Sequence, residues 1–192
     1  MPRRRTTRVE GREAPLRRPP GRPAARAKAA GGAGDPLHAL YSRPGFLIRR
    51  AHQIAVSLFI EEMGALGVTP TQSGILFVLS HRGGLDQISV ARLLGLDRST
   101  ASMVIAKLVK AGLVARAVGS GDRRRRALVL TPKGRRLIDR LAGPLERARA
   151  RVLSPFTTEE AAQFVALLDK FTAAFNGTTR VPMIDDRLNG SD

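Results

Sequence analysis

Cysteine is absent from the 192-residue chain. Its absence excludes disulfides, thiolate zinc sites, thiol nucleophiles and thiol redox sensors in one step. Long apolar runs are missing too. No stretch approaches about 18 uninterrupted apolar residues, and the opening MPRRRTTRVEGREAP carries charge but no apolar segment. Neither secretion nor membrane spanning is expected, and the expected location is the cytoplasm.

Catalytic signatures are equally scarce. His38, His52 and His81 are the only histidines and do not stand at metal-ligand spacing. No phosphate-binding glycine loop and no nucleophile elbow occurs. The acid pairs Glu61-Glu62 and Glu159-Glu160 fit helix surfaces and a helix cap. No metal, no cofactor and no enzymatic activity are expected.

Positive charge is what the chain has in excess. Lys and Arg number 33 against 16 Asp and Glu, and the pI is about 11.8. Such an imbalance speaks about partners, with polyanions first among them: nucleic acid before anionic membrane or acidic protein. Apolar residues make up 43% of the chain, enough for one buried core.

The charge is unevenly placed. Residues 1–34 hold ten Lys or Arg and two Glu among many Pro, Gly and Ala, without periodicity. This reads as a disordered basic arm, a solvated tail adding nonspecific charge. Residues 178–192 read as a short mobile tail. Between them, 35–177 form one domain.

Phe46, Leu47, Ile48, Ala51, Ile54, Ala55, Leu58, Phe59 and Met63 recur at helical spacing and predict a first helix from Pro44-Gly45 to near Gly67. Thr69-Pro70 opens a second, Thr71 to about His81, stopped by Gly83-Gly84. Asp86 caps a third, Gln87 to Leu94, and Asp97 a fourth, Arg98 to about Ala111, with Gly112 at its end. Leu113–Val118 and Ala127–Thr131 predict a β-hairpin. Two helices follow: Pro132 to Val152, with Gly143-Pro144 as a candidate kink, and one starting at the capping box Thr157–Glu160. The fold class is mainly α with a small β-hairpin, in winged helix-turn-helix order.

In that order the fourth helix is the one that enters a major groove. At about 100° per residue, Ala101, Val104, Ile105, Leu108 and Gly112 fall on one side. Ser99, Met103, Ala106 and Lys110 fall on the other, with Ser102 and Lys107 at its edges. Arg98 and Thr100 sit in the first turn, near the positive helix end. Residues 98–151 carry a net charge of +12, so the basic surplus is concentrated on the candidate reading unit and the helix after it. The alternative is a surface helix with a merely solvated polar face.

The stretch Gly119 to Gly134, GSGDRRRRALVLTPKG, would be the wing. Alternate side chains of a hairpin point to opposite faces, so Arg123–Arg126 at its tip straddle a phosphate backbone, with one or two entering the minor groove. Asp122 is placed to orient one guanidinium as a bidentate pair. On a floppy loop, the same arginines would give only salt-dependent affinity.

LLGLDRSTASMVIAKLVKAGLVAR followed by GDRRRRALVLTPKG resembles the MarR family of bacterial transcription regulators, over roughly residues 44–175. The most specific part is Asp122-Arg123-Arg124 leading into Leu130-Thr131-Pro132-Lys133-Gly134. The resemblance implies an obligate homodimer with a helical dimerisation layer, about 44–66 and 132–175, and a DNA-binding part, about 68–131. It implies Arg124 as the minor-groove residue oriented by Asp122, flanked by Arg123 and Arg125, with Arg98, Ser99, Thr100 and Ser102 near DNA. Lys107 and Met103 complete the set. Met103 and Ala106 depart from the usual Arg and Asp, and Met103 suits a thymine methyl.

PGFLIRRAHQIAVSLFIEE is similar to the MarR subgroup that controls aromatic-acid breakdown and answers to aromatic acids or their coenzyme A thioesters. Arg49 and Arg50 are suited to a carboxylate or phosphate, and His52 lies on the apolar stripe, where a packing role is the alternative. The expected partners are double-stranded DNA with a pseudo-palindromic operator, a second copy of the chain and such a small-molecule effector. An architectural, nonspecific nucleic-acid-binding protein is the competing function.

Overall fold

Small polar residues mark where the helices begin. The computed structural model describes residues 36–118 and 126–184. Helix α1 (Pro36–Tyr41) belongs to a unit ending at Tyr41, and from Ser42 the chain forms a second unit. The second unit opens with α2 (Pro44–Met63) and a 3₁₀ turn, Gly64–Leu66. Thr69 then starts α3 (Pro70–His81) with a reciprocal box: Gln72 N donates to Thr69 Oγ1 at 3.3 Å and Thr69 N to Gln72 Oε1 at 3.0 Å. Asp86 caps α4 (Gln87–Leu93), accepting from Ser89 N at 2.8 Å, and Asp97 caps α5 (Arg98–Lys110). Each cap satisfies a backbone N–H that the helix itself leaves free.

Strands β1 (Val114–Val118) and β2 (Arg126–Leu130) pair antiparallel, from Val114↔Leu130 to Val118↔Arg126. Arg126 is therefore the closing strand residue and not part of the wing tip, which corrects the placement of all four arginines there. Leu85 adds a bridge on the far side of β2: Leu128 N donates to Leu85 O at 2.8 Å, and Gly84 N to Leu128 O at 3.2 Å. The hairpin is thus sewn to the turn between α3 and α4.

Two helices complete the unit, α6 (Pro132–Leu153) and α7 (Thr158–Phe175). Helix α6 runs through Gly143-Pro144 as one element. Thr157 and Glu160 form the expected capping box of α7. Ile75, Leu76, Val90, Ile105, Leu128 and Leu141 are at most 1% exposed, so α3, α4, α5, β2 and α6 share one core. Helix α2 joins it through Met63 and is clamped to α6 by ion pairs. Arg147 Nε donates to Glu62 at 2.9 Å, and Arg151 reaches Glu62 at 3.1 Å and Glu61 at 2.8 Å. These guanidinium bonds, Arg147's first, hold the Glu62 carboxyl below its ordinary range.

Residues 178–184 depart from the expected mobile tail. Met183 N donates to Asn176 Oδ1, Asn176 Nδ2 donates to Met183 O, and Ile184 N donates to Arg92 O. The segment lies on the unit's surface and is tied to it.

The Leu-Thr-x-x-Gly segment proves to be a joint. Leu130 is buried; Thr131 Oγ1 accepts from Gly134 N at 3.1 Å to start α6 and donates to Gly112 O at 2.7 Å. Gly134 lies so close to β1 that a Cβ there would collide with the Leu113 carbonyl oxygen and stand 3.2 Å from Leu130 Cδ2. Gly134→Ala is expected to cost about 1–3 kcal/mol through overpacking and to lower the melting temperature by several degrees. Gly143→Ala, whose added carbon meets only the end of Arg147, is expected to be neutral or stabilising. Circular-dichroism melts of the two variants check the contrast, and equal melting would contradict the close approach.

Candidate nucleic-acid interface and cavities

Helix α5 hides one face and offers the other. Ala101, Val104, Ile105 and Leu108 are buried, while Arg98, Ser99, Ser102, Met103, Ala106, Lys107 and Lys110 are exposed. Met103 keeps 54% of its surface, the most apolar point of the outward face. Thr100 is half-buried. Within the helix the expected division is the observed one; Gly112, expected on the hidden side, is exposed beyond its end.

The first turn is more constrained than spacing alone indicates. Thr100 N donates to Asp97 Oδ1 at 2.8 Å, Ser99 Oγ to the same oxygen at 2.5 Å, and Thr100 Oγ1 to Asp97 Oδ2 at 2.6 Å. The Ser99 and Thr100 hydroxyl bonds, in that order, and the Thr100 amide hold the carboxyl far below its ordinary value. Both hydroxyl protons are therefore committed to Asp97, and the exposed Ser99 presents its oxygen as an acceptor, a match for the N–H edges of cytosine or adenine. Asp97 already fills the positive end of the helix. The cation left for a phosphate there is Arg98, which is exposed and has no acidic partner among the described residues.

The far end of α5 is held by another group. Lys133 Nζ donates to Ala111 O at 2.9 Å, a cation on the carbonyl end of the helix. Asp122, Arg123, Arg124 and Arg125 lie outside the described residues. The root of the wing is in place: the last strand pair, Val118↔Arg126, brackets them.

Among the candidate effector residues, Arg49 places its guanidinium 4.9 Å from the centroid of the Phe46 ring, and Arg50 is exposed. His52 lines an apolar cavity of about 460 Å³ between α2, α6 and α7, with Phe59, Leu145, Val152 and Leu168. Arg49 and Arg50 do not line it. Arg149 does, and sequence reasoning passed over it; its spacing from Leu145, Ala148 and Val152 was the available signal. A second cleft of about 430 Å³ has Leu66, Leu108 and Leu137 below and Lys133, Arg136 and Arg140 at its edge. Among the described residues no group of His, Asp and Glu could hold a metal, and no single helix is long and apolar enough to cross a membrane.

An apolar face remains open. Leu47, Ile48, Ile54 and Ile60 of α2 and Val165, Leu167, Leu168 and Phe171 of α7 are exposed, and α7 buries no residue. An 18-residue helix with that pattern is unstable unless something covers it.

Asp97→Ala is expected to fray the start of α5 and lower the melting temperature, whereas Asp97→Asn, still a good cap, loses less. The Asp97 carboxyl is depressed in the folded state, so its contribution is complete above the ordinary value of 3.8 and lost as pH falls through the lower folded value. The melting difference between parent and Asp97→Asn is expected to be flat near neutrality and to shrink only in strong acid. A difference already gone at pH values above 3.8 would contradict the assignment.

Residues 66–125 match the profile of the MarR family. The chain is 31% identical over 126 residues to the HTH-type transcriptional repressor Rv2887 of Mycobacterium tuberculosis, spanning 66% of this chain and 91% of that one. The PcaV transcriptional regulator of Streptomyces coelicolor, solved with its natural ligand, is 34% identical with a TM-score of 0.65, over 74% of this chain and 98% of PcaV. BpsR of Bordetella bronchiseptica, whose DNA binding is regulated by 6-hydroxynicotinic acid, is 26% identical with a TM-score of 0.64, over 69% and 95%. The shared fold is the winged helix-turn-helix, and dimers are typical of these proteins. The chain belongs to the MarR family of transcriptional regulators.

Proposed function

We propose that this chain is a homodimeric, sequence-specific DNA-binding repressor of the cytoplasm, released by a small aromatic acid or its coenzyme A thioester. The observation that carries the reading is the outward face of α5, small, polar and basic, on a stretch, 98–151, with a net charge of +12. The open apolar faces of α2 and α7 supply the second copy's contact. In such a dimer two α5 helices meet successive major grooves of a pseudo-palindrome, about one helical turn apart.

Arg98 and Lys107 contact phosphates; Ser99, Thr100, Ser102 and Met103 meet base edges. Arg124, oriented by Asp122, enters the minor groove, with Arg123 and Arg125 on the flanking backbone. The effector side of the proposal draws support from the relatives, one solved with its natural ligand and one regulated by an aromatic acid. A cavity of about 460 Å³ suits one aromatic ring, with His52 and Arg149 for its acid, Arg149 exchanging its exposed pair with Glu146 at 2.7 Å for the ligand. Arg49 and Arg50 stand nearby in sequence for a carboxylate or phosphate. Release of DNA requires that the effector bind better to the dimer in which the two reading helices are misaligned. The net charge of +17 equally supports nonspecific binding by counterion release, the competing reading.

Arg124→Ala is expected to weaken binding to a duplex selected from a random pool by about 10- to 100-fold at fixed salt, with the dimer intact in size-exclusion chromatography. Undiminished affinity would remove Arg124 from the wing's role. A hydroxybenzoate or its coenzyme A thioester is expected to raise the melting temperature of the parent and not of His52→Ala. A shift of equal size in both would take His52 out of the site.

A further inference from the structure

Asn176 caps the end of α7 and does more than end a helix. Its side-chain amide donates to Met183 O at 2.8 Å and accepts from Met183 N at 2.8 Å, as one strand residue pairs with another. The closed loop carries Met183 onto Gly95, the residue that turns the chain from α4 to α5 at a φ of +60°. A Cβ on Gly95 would lie 3.2 Å from Met183 Cγ and 3.6 Å from its sulfur. Ile184 N donates to Arg92 O at 3.0 Å, taking a carbonyl from the last turn of α4. A cavity of about 710 Å³ remains beneath, bounded by Leu94, Asp97 and Ser99 on one side and Phe175, Thr179 and Arg180 on the other.

These contacts fall on the turn that joins the two helices of the reading unit, whose buried faces meet in the core through Val90, Ala91, Ala101 and Ile105. The turn Leu94–Asp97 rests on the edge of the core through the half-buried Leu94 and Leu96, and Gly95 between them leaves it the freedom of a residue without Cβ. We propose that Asn176–Ile184 is a strap that fixes this turn to the end of α7, with Asn176 and Met183 as positioning residues for DNA reading. The reading helix is then fixed at both ends, by α6 through Lys133 and by α7 through the strap. A shift of α7 in the dimer layer tilts the N-terminus of α5 directly. The inference rests on the DNA-reading function proposed above.

Asn176→Ala and Met183→Ala separate this role from a basic tail that merely adds affinity, because both leave every charge in place. In amide hydrogen exchange on the free full-length protein, Met183 and Ile184 are expected to be protected in the parent and to lose protection in Asn176→Ala. Affinity for the selected duplex is expected to fall about tenfold in both variants, one factor of ten being about 1.4 kcal/mol. Affinity for random duplex, its salt slope and the dimer elution volume are expected to stay unchanged. Unprotected amides in the parent would overturn the strap itself. Affinity within twofold of the parent despite lost protection, or an equal fall on random duplex, would overturn the positioning role. If no duplex is enriched from the pool, sequence-specific reading fails and the positioning role with it, while exchange still reports whether the strap exists.

Discussion

The close approach of Gly134 to the Leu113 carbonyl is the constraint on which the other arrangements depend. At that point the end of the reading helix, the first strand of the wing and the start of α6 meet within a few ångströms. Thr131 binds all three, through Gly134 N, Gly112 O and the Leu113 carbonyl that its own N–H reaches at 3.1 Å. A side chain at Gly134 would pry α6 off the hairpin. The Leu-Thr-x-x-Gly signature is therefore a mechanical joint: it fixes where α5 and the hairpin stand relative to α6.

From that joint the electrostatics divide cleanly. The reading helix carries an anion, Asp97, at its N-terminus and receives a cation, Lys133, at its C-terminus, the arrangement that complements its dipole. Its outward face is left with Arg98, Lys107 and Lys110 for a polyanion. The acids of α2 are taken up internally by Arg147 and Arg151, which fastens α2 to α6. The charges of Lys133, Arg147 and Arg151 are thus structural, and those on the outer face of α5 have no acidic partner among the described residues.

Much of this was legible in the chain because the signals are local. Asp86, Asp97 and Thr157 announce their helices within four residues, and Gly112 closes α5 where expected. The hidden face of α5 followed from periodicity alone. The commitment of Ser99 and Thr100 to Asp97 had a local signal as well, an acid two and three residues before two hydroxyls. What stayed out of reach is non-local. The bridge from Leu85 to Leu128 spans 43 residues; the pairing of Asn176 with Met183, and of Ile184 with Arg92, cannot be inferred from a segment that reads as polar tail. Arg149 had a signal in its spacing from Leu145, Ala148 and Val152, but a weak one among the seven Lys and Arg of α6.

On the function proposed above, this basic surface reads sequence instead of only attracting charge. A competition titration of the intact dimer tests it most directly, using a selected duplex and a random duplex of equal length across a series of salt concentrations. Both affinities are expected to fall steeply with salt, with the selected duplex remaining tighter by about 10³ or more throughout. Two lines that coincide at every salt concentration would contradict the claim and leave a nonspecific DNA-binding protein.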